Sequence, residues 1–172
     1  QIAALAFMVP LGLSNAATAR VGIAVGRQDQ AALVRAGQAA VIITTVFALS
    51  AALPMLLIPE VLIGGWLAEG DPNAADVVAI AVPLLWVAAC FQLVDGLQVI
   101  GVGLLRGLKD IRIPMLIAVF SYWAAGVPIA LLLGFIAGLG GVGIWSGLAA
   151  GLSFAAVLLI WRFFREARDP AI

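Results

Sequence analysis

The chain has no histidine and only one cysteine, Cys90. Without histidine it lacks the commonest proton shuttle and metal ligand, and any Ser-His or Cys-His nucleophilic pair. A lone thiol inside an apolar run offers neither a disulfide nor a metal cluster, and says nothing of redox compartment. Charge is scarce too: only 10% of the 172 residues are charged, against about 25% in soluble domains. There is no phosphate-binding GxxxxGK loop, so nothing here points to ATP as the energy source. With a single carboxylate inside an apolar span, no intramembrane aspartyl dyad can form within the chain. These absences give no support for an enzyme.

What fills the chain instead is hydrocarbon. Hydrophobic residues make up 65% of the sequence, and the mean hydropathy is +1.19. A soluble fold of this length cannot hide so much apolar surface, so the solvent is lipid. A helix needs about 20 apolar residues to cross a bilayer core. The expected spans run over about 1–26, 34–58, 72–105, 113–136 and 142–163, giving an all-α integral membrane protein with five transmembrane helices. Asp29 reads as the N-cap of the second span, and Asp71-Pro72 as N-cap and first residue of the third. Residues 60–76 read as an acidic loop, and Pro114 as the start of the fourth helix. From Ile113 to Trp161 no residue is charged. As one helix that stretch would be about 74 Å long, so it folds back, and the cluster Gly138, Gly140, Gly141 and Gly143 is the expected turn.

The formal net charge of zero conceals an uneven distribution. All nine Lys and Arg residues fall in three places: Arg20, Arg27 and Arg35; Arg106, Lys109 and Arg112; Arg162, Arg165 and Arg168. The second connection carries Glu60, Glu69, Asp71 and Asp76 instead. With five spans, the three basic places share one side, which the positive-inside rule makes cytoplasmic, with the C-terminus. Gln1 then lies outside. An apolar external start without an initiator Met or a signal-peptide pattern reads as a piece of a longer bundle. The basic clusters are topology signals, and no nucleic-acid patch is expected.

Asp95 is the most informative position. It lies about two-thirds of the way along the third span, where a carboxylate costs about 2.5–3.5 kcal/mol on insertion scales. There it can exchange a proton or take a sodium ion, with Gln92 and Gln98, three residues to either side, supplying amide oxygens or hydrogen bonds. The alternative is a neutral hydrogen-bond partner between helices. Pro10, Pro83 and Pro128 lie within spans one, three and four, as cavity-lining hinges or as packing irregularities. Ser14, Asn15, Thr18, Ser121, Tyr122 and Trp123 are candidate cavity-lining groups, or helix contacts. Gly143, Gly147 and Gly151, and separately Gly22 and Gly26, have small-xxx-small spacing that lets helices approach closely. Trp161 beside Arg162 reads as an interfacial anchor.

The string FMVPLGLSNAATARVGIAVGRQDQAALVRAG resembles the eighth helix and following loop of the multidrug and toxic-compound extrusion (MATE) transporters. VDGLQVIGVGLLRGLKDIRIPMLIAVFSYWAAGVP is similar to their tenth and eleventh helices, and GGVGIWSGLAAGL to their twelfth. The RVG…G…D and LRG-x-KD-x-R-x-P strings are nearest to the NorM-like bacterial branch. The resemblance implies most of the six-helix C-terminal lobe of a twelve-helix antiporter in a bacterial inner membrane. The N-terminal lobe and one further helix would precede Gln1. Such a transporter expels organic cations or drugs in exchange for Na⁺ or H⁺, with no cofactor beyond that coupling ion. The resemblance places the branch's cation-linked aspartate at Asp95, which would be the Na⁺ ligand if sodium is coupled. Its partner glutamate, in the seventh helix, would lie upstream. A lipid-linked oligosaccharide flippase of the same superfamily is the alternative, but it would call for several basic residues in the cavity, and the spans hold none beyond Arg20. A non-transporting membrane scaffold is the other.

Overall fold

A computed structural model describes residues 2–67, 72 and 74–168, with side chains from Ala4 onward. The architecture is all-α. Helix α1 spans Ile2–Gly26 and α2 spans Gln30–Leu57. A short α3, Pro59–Gly64, precedes the long α4, Ala74–Gly107. Then come α5, Arg112–Ile136, and α6, Gly140–Glu166. Five of these, all but α3, are long and apolar enough to cross a membrane.

Local chemistry accounts for the boundaries. Asp29 caps α2, its carboxylate accepting from the Ala32 N–H at 2.8 Å, which lets the helix begin at Gln30 rather than near Val34. The expected acidic loop contains α3, started by Pro59 at the first helical position, where a missing N–H costs nothing. Helix α4 begins at Ala74 rather than at Pro72, which sits in a turn; Glu69 and Asp71 lie outside the described residues. Helix α5 starts two residues before the buried Pro114. The turn between α5 and α6 falls on Gly138 and Gly140, both at positive φ, where glycine carries no Cβ penalty.

Helix α4 is the centre of the bundle, packed against α1, α2 and α6, while α5 is held mainly by α6. Lipid tails are as apolar as leucine, so close backbone approach and interhelical hydrogen bonds hold such helices together. Gly143, Gly147 and Gly151 of α6 lie against Leu133, Ala130 and Gly126 of α5. A Cβ on Gly107 would stand 2.6 Å from that of Val21 and 2.9 Å from the Thr18 carbonyl. Gly22 and Gly26 contribute little: a Cβ at Gly22 would only touch the Gly107 carbonyl at 4.0 Å, and one at Gly26 meets nothing within 4 Å. The close approach of α1 to α4 comes from Gly96, Gly103 and Gly107 on the partner helix, a stripe the spacing on α1 does not reveal. Outward faces carry exposed Ile42, Val46, Leu53, Phe120, Val157 and Trp161, as lipid contact requires.

The three basic segments come together at one end of the bundle. The Arg162 Nε donates to Asp110 at 2.7 Å, and the Gln30 amide donates to the Ala167 carbonyl at 3.3 Å. Arg165 lies 5.4 Å over the Trp161 ring, an amphipathic pairing suited to a membrane interface.

Candidate functional site

The weak hold of α4 on α5 leaves an open face, and α4 turns its polar side chains toward it. Phe91, Asp95, Gln98, Val102 and Arg106 follow one another at spacings of three and four, so they form one stripe. Two cavities lie along it. The outer one, about 510 Å³, is lined by Asp95 and Gln92 of α4, Ala4 of α1, Ile63 of α3 and Trp145 of α6. The inner one, about 430 Å³, is lined by Gln98, Val102 and Arg106, with Ser14 and Asn15 of α1 and Met115 and Ala118 of α5. Phe91 packs edge-on against Trp145 at 5.6 Å, tying α4 to α6 at the outer cavity.

Asp95 is half-buried, and among the described residues no Lys or Arg pairs with it. The two glutamines flanking it part company. Gln92 joins Asp95 at the outer cavity but is 1% exposed, and its Nε2 has no partner among the described residues. A buried amide donor left unpaired costs about 1–3 kcal/mol, so its retention is unexplained by packing. Gln98 opens into the inner cavity instead. The reason is angular: the two lie about 60° to either side of Asp95 around the helix, so one turns into the packed bundle and the other into the inner cavity.

On α1, Ser14 and Thr18 are stitches rather than free ligands. The Ser14 hydroxyl donates to the Val99 carbonyl at 2.9 Å. The Thr18 hydroxyl lies 2.8 Å from the Gly103 carbonyl and 2.9 Å from that of Ser14, sharing its proton between them. Asn15 is exposed at the inner cavity. On α5, Tyr122 is half-buried and Trp123 is 71% exposed, and neither lines the two cavities.

The prolines differ in use. Pro10 is fully buried, and its ring would lie 3.5 Å from a Cβ on Gly96, beside the Thr44 methyl at 3.1 Å. It therefore sits next to the Asp95 level of α4. Pro83 leaves α4 unbroken. Pro128 lies between two π-helical turns, Ser121–Gly126 and Leu132–Ile136, which sequence pattern did not announce. Pro54 likewise lies inside a helix, α2.

The MatE family signature matches residues 1–132. The chain belongs to the MatE family of transporters. It is 50% identical over 166 residues to a probable multidrug resistance protein NorM of Brucella suis, which covers 96% of this chain and 35% of that protein. It is 48% identical over 163 residues to the multidrug resistance protein NorM of Burkholderia vietnamiensis, covering 95% of this chain and 35% of that one. The chain thus spans about a third of the length of the curated relatives it matches. In fold it is similar to the eukaryotic MATE transporter AtDTX14, with a TM-score of 0.80 at 22% identity over 99% of this chain and 39% of that one. It is also similar to an inward-facing multidrug resistance MATE family transporter of the MOP superfamily, with a TM-score of 0.84 at 18% identity over 99% of this chain and 38% of that one. The MatE chain described here is accordingly a multi-pass membrane protein.

Proposed function

We propose that this MatE segment forms most of the C-terminal lobe of a bacterial secondary transporter that expels organic cations and other drugs in exchange for Na⁺ or H⁺. The names of its relatives support multidrug efflux. The observation that carries the coupling role is Asp95: an acid without a basic partner among the described residues, in the middle of an apolar helix, at a cavity it shares with the unsatisfied amide of Gln92. Ion binding at Asp95 and drug binding in the cleft compete, and the gradient biases alternation between inward- and outward-open lobes. A membrane potential contributes about 2.3 kcal/mol per charge per 100 mV. In this reading the basic end of the bundle faces the cytoplasm, and the open face of α4 and α5 looks toward the rest of the transporter, including the preceding lobe.

The flippase reading is less favoured, because among the described residues the only cation lining either cavity on the open face is Arg106, at its inner end. The test is efflux of a fluorescent organic cation from proteoliposomes holding a full-length transporter that carries this segment. Asp95→Asn is expected to abolish ion-driven efflux while leaving insertion intact. Normal ion-driven efflux by that variant would remove Asp95 from the mechanism.

A further inference from the structure

Tyr122 is the only tyrosine in the chain, and three features bear on its register along α5. First, Ile111, Met115 and Ala118 line the inner cavity, and Tyr122 continues their stripe one turn further along α5, at the level where α4 presents Asp95. Second, its neighbour Ser121 is buried, and the Ser121 carbonyl would lie 3.0 Å from a Cβ on Gly151 of α6. Third, the next buried residues along α5 are Gly126, Ala130 and Gly134. The step from Ser121 to Gly126 is five residues, the following ones four.

A regular α-helix cannot place residues five apart on one line. The π-turn inserts the extra residue: the Val127 N–H bonds to the Tyr122 carbonyl, five residues back. Pro128, which has no N–H to give, follows directly. The wide turn thereby keeps both Ser121 and Gly126 against α6, while Tyr122, four residues after Ala118, falls on the helix face that lines the inner cavity. π-Turns inside helices occur frequently at functional sites.

We infer that Tyr122 is a positioning residue for the Asp95 ion site, its hydroxyl facing the carboxylate across the cleft and its register set by the π-turn at Ser121–Gly126. With the site empty, the phenol O–H donates toward the carboxylate. With a cation bound, its oxygen turns to accept or coordinate. This inference rests on Asp95 being the coupling site.

The experiment titrates efflux of ethidium by the full-length transporter against sodium at fixed pH, and against protons at fixed sodium. Tyr122→Phe is expected to shift the half-saturating concentration of the driving ion by about tenfold, the effect of one hydrogen bond to a charged group, with maximal rate retained. Trp123→Phe is expected to change neither. The double variant Tyr122→Phe with Asp95→Asn is expected to match Asp95→Asn alone. Ion-dependent thermal stabilisation of the purified protein reads the same shift without transport. If Asp95→Asn abolishes coupling but Tyr122→Phe leaves half-saturation unchanged, the inference on Tyr122 is overturned and the coupling role stands. If Asp95→Asn has no effect, both fall.

Discussion

Along α4, the sides that meet α1 and α6 are built of small and aliphatic residues, whereas the side that meets the cavities carries Asp95, Gln98 and Arg106. On the closed sides, Gly101, Gly103 and Gly107 stand where a Cβ would strike Leu159, Ser14 and Val21, and Ile100 and Leu104 are fully buried. On the open side, α5 is held by α6 and stands off from α4. Within one helix the seam supplies cohesion and the stripe supplies chemistry. A polar group in lipid is tolerated where it lines a cavity or, as with Ser14 and Thr18, where it bonds to a facing backbone carbonyl.

The largest effect is expected from adding bulk where two helices meet through their backbones, compared with bulk on an open helix face. Gly147→Leu would drive a side chain into the backbone of Ala130. It is expected to destabilise the bundle by about 3 kcal/mol, read as loss of folded protein in a detergent melt. Gly12→Leu, with nothing within 4 Å of its Cβ, is expected to stay within about 0.5 kcal/mol of the parent. Equal effects would mean that α5 and α6 are not joined as described.

A middle-sized effect is expected at the boundary between the two sides. Gln92→Met removes the unpaired buried donor and should stabilise the protein by about 1 kcal/mol while weakening ion dependence of efflux. Stabilisation with unchanged ion dependence would make Gln92 a packing residue. The smallest effect separates two neighbours on α1. Ser14→Ala loses the bond to Val99 and should cost about 0.6 kcal/mol, typical of interhelical hydrogen bonds in lipid. Asn15→Ala, on the cavity wall, should leave stability unchanged and alter substrate preference.

Much of this was legible in the residues. Span number followed from the length that lipid demands, and the glycine turn at 138–141 from the impossibility of a 49-residue crossing. Asp29 announced its cap because an acid before an apolar run has a specific N–H to bind. Other features depend on neighbours that one helix cannot disclose. Gln92 and Gln98 are equivalent by spacing from Asp95, and only the packing of the other helices around α4 buries one and opens the other. Gly22 and Gly26 have the spacing of a packing motif, yet only Gly22 touches α4, and the tight approach comes from the glycines of α4. The π-turn at Ser121–Gly126 arises because α5 must face α6 on both sides of Pro128, a tertiary demand that hydrophobic periodicity does not record.

The central claim is that one stripe of α4 faces an aqueous cleft within the membrane while its opposite side is sealed. Thiol labelling tests it directly, in a full-length transporter with Cys90→Ala, comparing Gln98→Cys with Leu104→Cys. A membrane-impermeant maleimide is expected to modify the first variant, more slowly when an organic cation is present, and to leave the second untouched. Equal labelling of both, or labelling of the second alone, would contradict the account.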